Sequence, residues 1–153
     1  MSEGVDHVRE WCEQGDLPWR DDDGALFVRL DADDSTEVRV DGDDDAIRLH
    51  DVVPLTPGDL PAARLAEVVE EIVLGRSSLV DARVGEDGET AEVVLVIHAE
   101  GLNRHTFLEA VYELQKVRLL LHREVSAAVA AEQTVATLTA MADRAWSGEP
   151  AAV

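Results

Sequence analysis

Five aspartates crowd the thirteen residues RVDGDDDAIRLHD, 39–51, and their spacing is the first pattern in the chain that could do chemistry. A calcium loop of the helix–loop–helix kind needs oxygen ligands at positions 1, 3 and 5, glycine at 6 and an acid at 12. Counted from Asp41, the first three ligands are Asp41, Asp43 and Asp45, but position 6 is Ala46 and position 12 is Val52. Counted from Asp31, Asp33 follows at position 3, but Ser35 and Thr36 stand at 5 and 6. The stretch WRDDDG has its glycine, Gly24, but would begin on Trp19. The aspartates therefore read as acidic turns that bind divalent ions weakly, and no metal or cofactor is expected.

The five histidines, His7, His50, His98, His105 and His122, form no HxxxH or HExxH pair. His7 with Glu10, and His105 with Glu109, share helix faces, but two ligands do not make a zinc site. The segment LGRSSLV lacks the GxSxG elbow of a serine nucleophile, and no GxGxxG or Walker loop is present. Glu67, Glu70, Glu71, Glu109 and Glu113 fall at helical spacings, as the solvated side of an amphipathic helix would place them. No catalytic residue is assigned, and the chain reads as a protein that is not an enzyme.

Binding is better supported. Arg29, Arg39, Arg48 and Arg83 each lie on the side of a strand opposite an apolar set, interleaved with Asp31, Glu37 and Asp81. Such a face is either solvated and laced with cross-strand charge pairs, or a platform for a partner or for the chain's own twin. Aromatic residues are scarce, so three tryptophans stand out. Trp11 is expected to pack the first helix, while Trp19 and Trp146 are expected to be partly exposed, where tryptophan favours interfaces. The partner-binding candidates are thus Arg29, Arg39, Arg48, Arg83, Trp19 and Trp146.

The whole chain carries 33 acidic against 13 basic residues, for a net charge of -20. The excess lies early: residues 1–60 hold 18 acids and 5 bases, residues 101–153 hold 6 and 5. Such a field repels nucleic-acid phosphates and anionic lipid, so neither is expected as a direct partner. A single lysine, Lys116, against twelve arginines points to a GC-rich genome such as an actinobacterium's, and the acidity would also fit salt adaptation. The lone Cys12 excludes a disulfide framework, the N-terminus MSEGVDHVREW has no apolar signal region, and the longest apolar run is VVLVI, 93–97. A soluble, cytoplasmic protein is the expectation.

The elements that must position these residues follow from hydrophobic period. A first helix is expected over Ser2–Gln14, with Val5, Val8 and Cys12 as its stripe and Gly15 as its stop. The loop GDLPWRDDDG follows. ALFVRLD, TEVRVD and AIRLHDVV alternate with period two and predict an antiparallel meander. TPGDLPAARLAEVVEEIVLG switches to helical period, with Leu65, Val68, Val69, Ile72 and Val73 as one stripe, Thr56 or Asp59 as cap and Gly75 as stop. SLVDARVGEDGETAEVVLVIHA is a second hairpin turning at GEDGE, its last strand apolar on both faces and so placed inside the sheet. From Asn103 to about Ala145 no glycine or proline interrupts a helix, and Phe107, Leu114, Leu121, Ala128 and Val135 recur every seven residues. A straight helix of that length would run about 65 Å, which predicts a break near Glu124–Ala127 or an end that docks on a second subunit.

The result is an α+β two-layer sandwich: a five-stranded antiparallel sheet with helices on one face, in the order α-β-β-β-α-β-β-α, plus an extra C-terminal helix. A single domain is expected over 1–146, with its core at about 3–125, a helical extension at 126–146 and a disordered tail at 147–153.

This order resembles the type III secretion chaperone-like fold, and within it the YbjN-type family of candidate sensory transduction regulators. The residues that carry the resemblance are ALFVRLDADDSTEVRVDGDDDAIRLHDVVPL, PAARLAEVVEEIVLG, SSLVDARVGEDGETAEVVLVIHAEGL and NRHTFLEAVYELQ, spanning roughly 3–125. The chain departs from the family where VVEEIVLGRSS stands in place of asparagines near the end of the middle helix, and the Ala-rich tail is extra. The resemblance implies a small acidic homodimer without catalytic residues that binds another polypeptide as a chaperone-like or regulatory module. Two other readings stand beside it. One is a metal-dependent or other hydrolase gathering His98, His105 or His50 with carboxylates from distant positions. The other is an acidic decoy that mimics nucleic acid for a basic partner.

Overall fold

Alternation of apolar and polar side chains builds the sheet, and helical stripes cover one side of it. The structure, a computed structural model, describes residues 3–29, 37–76 and 80–147. Leu30, Asp31, Asp33, the Ser2 cap, the start of the second hairpin at Ser77–Leu79 and the tail at 148–153 lie outside the described residues. In chain order the elements are α1 (Glu3–Gln14), β1 (Trp19–Asp22), β2 (Ala25–Arg29), β3 (Glu37–Gly42), β4 (Ala46–Pro54), α2 (Ala62–Leu74), β5 (Val80–Val84), β6 (Thr90–His98) and α3 (Arg104–Ser147). A 3-10 turn at Ala99–Gly101 joins the sheet to α3. The sheet is antiparallel throughout, in the order β1-β2-β3-β4-β6-β5.

The sheet has six strands where five are expected. The additional one is β1, in the segment read as a loop, paired to β2 from Trp19↔Val28 to Asp22↔Ala25. Asp23 and Gly24 join the two strands with positive φ at both positions, 48° and 79°. This two-residue turn matches the twist of the flanking strands and admits few residue types other than Asn, Asp and Gly.

The register sets which side chains face the helices. Leu26, Val28, Val38, Val40, Ile47, Leu49, Val53, Ala91, Val93, Leu95 and Ile97 are buried on one face. Val5, Val8 and Cys12 of α1, Leu65, Val68 and Val69 of α2, and Phe107, Leu114, Val117 and Leu121 of α3 close over them. Burying a side chain of this size contributes about 2 kcal/mol. The interior position expected for the strand Ala91–Ala99 holds, since β6 lies between β4 and β5. Gly75 ends α2 as expected, but the residue at its N-cap is Pro61, with no side-chain cap bond from Thr56 or Asp59.

The long helix is continuous. α3 runs 44 residues without a break at Glu124–Ala127, so the separate C-terminal helix expected there is the second half of one rod about 66 Å long. Asn103 and Thr106 start it by exchanging two bonds, each donating its backbone amide to the other's side-chain oxygen at 2.9 Å. Its first half is packed on the domain as far as Val125, with Ala128 and Val129 half-buried. From Ala130 to Trp146 every residue is exposed.

Candidate functional site

Among the arginines singled out on the sheet, each described partner is a carboxylate. Arg39 lies 3.2 Å from Asp41, Arg48 lies 3.5 Å from Asp43, and Arg83 donates to Glu92 across β5–β6 at 2.9 Å. Arg20, on the same face, donates to Glu37 at 2.7 Å and stacks over Phe27. Arg29 ends β2 opposite Glu37. Arg39 and Arg83 line one groove of about 790 Å³ with Phe27, His50, Val94, Asp51 and Arg118, while Arg29 and Arg48 lie outside it. Exposed pairs of this kind contribute at most about 1 kcal/mol each, and they leave the face close to neutral locally.

Trp19 is half-buried on β1, packed against the core with Arg9 over its ring at 5.5 Å. Trp146 is 91% exposed near the end of α3. Trp11 is half-buried between His7 and Phe107.

The acidic stretch 39–51 is a strand end and a turn. Asp43 Oδ1 accepts from the backbone amides of Asp45 at 2.9 Å and Ala46 at 3.1 Å. These bonds to the ionised form, with Arg48 nearby, hold the Asp43 carboxyl below the usual carboxylate range. Asp87 does the same in the second hairpin, accepting from the Glu89 amide and the Thr90 hydroxyl, and is lowered for the same reason. Cys12 is buried in the core, and desolvation pushes its thiol up to about 11. Among the described residues no three His, Cys, Asp or Glu side chains gather into a group that could hold a metal ion. No described helix is long and apolar enough to cross a membrane.

The sequence reading passed over an ion pair inside the sandwich. Asp51 is fully buried on the helix-facing side of β4, and Arg118 of α3 grips it with two bonds, Nη2 to Oδ1 at 2.6 Å and Nε to Oδ2 at 3.2 Å. Nη2 also reaches the Val52 carbonyl at 3.3 Å. β3 pairs with β4 only from Arg39↔His50 to Gly42↔Ile47, so Asp51 is paired as a strand on its β6 side alone. The signal was present. Asp51 continues the buried alternation Ile47, Leu49, and Arg118 falls midway between Val111 and Val125 at seven-residue spacing. Two opposite charges, each misplaced on an apolar stripe, are partners for each other.

The most apolar recess lies beside α3. Leu108 and Tyr112 of the helix and Val80, Leu95, Val96 and Ile97 of the sheet wall a groove of about 810 Å³. Leu108 is 42% and Tyr112 61% exposed, large apolar surface for a soluble face. Among the described residues β5 pairs with β6 from Val80↔Leu95 to Val84↔Ala91, and Val96–His98 of β6 line the groove. Its rim is polar: Lys116 lies 4.9 Å over the Tyr112 ring, and His105 sits 3.0 Å from Glu109. His98 lines the groove together with His105, Glu109 and Glu113, whereas His50 lies in the other one; among the described residues they form no group of three that could hold a metal ion. Of the two hydroxyl side chains in the groove, Thr106 and Tyr112, the first is held in the helix cap by Gly101 and Asn103.

No family model matches the chain, and no curated protein matches it by sequence. Solved structures do. An uncharacterized protein from Methanothermobacter thermautotrophicus superposes with a TM-score of 0.61 at 14% identity, covering 81% of this chain and 97% of that one. YbjN from E. coli, described as a candidate transcription regulator, gives 0.54 at 17% identity over 84% and 92%. A chain of the HopA1–SchA chaperone–effector complex gives 0.53 at 15% identity over 74% and 91%. The six-stranded sheet with its three helices is therefore the fold shared by YbjN and a type III secretion chaperone complex, as the sequence resemblance implied.

Proposed function

We propose that this chain is a non-enzymatic protein-binding module, chaperone-like or regulatory, that works as a small acidic homodimer and holds a segment of another polypeptide in the groove between α3 and β6. The groove carries the reading. Its described walls are largely aliphatic and aromatic and its rim is polar, which suits a segment presenting apolar side chains rather than a small polar substrate. The fold supports it, since one structure of this fold is a chaperone–effector complex. So does the chemistry at hand: Thr106 is committed to the helix cap, and the His105–Glu109 pair lies exposed at the surface. Arg39 and Arg83 would add a second, polar contact on the open sheet face.

The test is a pull-down from the source cells with wild type and a Leu108→Glu/Tyr112→Glu variant side by side. A specific polypeptide retained by wild type in high salt and lost by the variant is the expected result. Binding that collapses with salt in both would favour the acidic decoy, and no specific polypeptide with either would overturn the reading.

A further inference from the structure

The heptad that seats α3 on the domain does not stop where the domain stops. Phe107, Leu114 and Leu121, with Ala110 and Val117 three residues after the first two, are buried in the core. The first position continues as Ala128, Val135 and Ala142, and the second, interrupted once by Glu124, as Ala131, Leu138 and Ala145. Val135 and Leu138 are 58% and 59% exposed, and Met141 and Trp146 flank the same stripe. A 3-4 repeat on a bare helix, without tertiary cover, is the pattern of a helix seam that packs into a partner helix. An unsupported helical stretch of this length, carrying Thr134, Val135, Thr137 and Thr139, is marginal in isolation.

Charge selects the partner. Residues 1–125 hold 30 acids against 12 bases, whereas 126–147 hold only Glu132, Asp143 and Arg144. Two copies of this chain repel each other over most of their surfaces, and the free half of α3 is where they can meet without that repulsion. Direction follows as well. In parallel pairing the two acidic domains would lie side by side. In antiparallel pairing that opposes Val135 to the partner's Leu138, the last buried residues of the two copies, Val125 in each, lie about 34 Å apart along the seam, about four times the screening length of ~8 Å at physiological salt.

We infer that the free half of α3 is a self-association helix, packing antiparallel against the same segment of a second copy about a two-fold axis. Antiparallel seams oppose the two heptad positions, so Val135 meets the partner's Leu138 and Ala131 meets the partner's Ala142. That register sets the partner's Trp146 beside Ala127, at a recess of about 490 Å³ between α2 and α3 whose apolar lining, Val68, Ile72, Leu120 and Ala128, is edged by Arg64, Glu71, Arg76 and Glu124. The alanines permit close approach, and the mixed lining suits an indole, which carries an apolar body and a polar N–H. This inference rests on the homodimer part of the proposed function and is independent of the α3–β6 groove.

Light scattering on the full chain tests it. Wild type is expected at twice the 16.7 kDa chain mass, and Val135→Glu/Leu138→Glu at the chain mass with an unchanged far-UV spectrum and unchanged client capture. A mixture of Val135→Cys and Leu138→Cys chains is expected to form a disulfide-linked pair on oxidation, while Val135→Cys alone forms none. A wild type that is monomeric, or a Glu variant that remains dimeric, overturns the inference. Linkage of Val135→Cys to itself overturns the antiparallel register. A dimeric wild type that captures no specific polypeptide would count against the groove and leave this inference standing.

Discussion

At the residue scale, the decisive group is the Asp51–Arg118 pair, because Asp51 is fully buried and the partly buried Arg118 satisfies its carboxylate. Removing one partner of a buried pair leaves an uncompensated charge and costs about 3–5 kcal/mol, whereas replacing both with apolar residues of similar volume is close to neutral. Arg118→Met should therefore lose about 3 kcal/mol in urea unfolding, and Asp51→Val/Arg118→Met should recover most of it. A single variant as stable as wild type would contradict this. The turn aspartate Asp43 makes a prediction of opposite character, fully exposed and pH-dependent. Its carboxyl is lowered in the folded chain, so the turn's contribution is present above the ordinary carboxylate value and is lost as pH falls through the lowered one. NMR titration of the Asp43 carboxyl carbon should give a midpoint below 3.8, the ordinary value, and Asp43→Asn should remove the transition. A midpoint at or above 3.8 would sink the assignment. The stretch 39–51 thus proves to be hairpin chemistry, with one aspartate, Asp51, doing a separate task inside the core.

At the element scale, most of the fold was legible because period and punctuation agree. β3, β4 and β6 alternate cleanly, α2 keeps a five-residue stripe, and the turns between them carry Asp and Gly. β1 was not legible, since Trp-Arg-Asp-Asp has almost no apolar side to bury, as its exposed pattern in the sheet confirms. The clue was Asp23-Gly24, a two-residue hairpin signal that outweighs the polarity of the strand before it. At Gly24 an added Cβ meets nothing within 4 Å, so only its backbone, at φ 79°, opposes a substitution. Gly24→Val should accordingly cost about 1 kcal/mol or more and lower the melting temperature. An unchanged melt would mean that β1 contributes nothing. The break expected in α3 is absent for a comparable reason: no Gly or Pro imposes one, and length alone is not a helix stop. The groove was the least legible feature. It is formed by residues distant in sequence, Val80, Val96 and Leu108 among them, whose proximity depends on sheet order rather than on local pattern.

At the scale of the whole molecule, a net charge of -20 opposes close approach of copies and of anionic polymers. The near-neutral end of α3 is the surface proposed for self-association, and the apolar groove between α3 and β6 is the one proposed for polypeptide binding, the central claim. Hydrogen–deuterium exchange on the chain with and without its captured polypeptide tests that claim most directly. The account predicts new protection in α3 around Leu108–Lys116 and along Leu95–His98 of β6, with the far strand β1 unchanged. Protection confined to β1 and β2, or none with the polypeptide demonstrably bound, would contradict it.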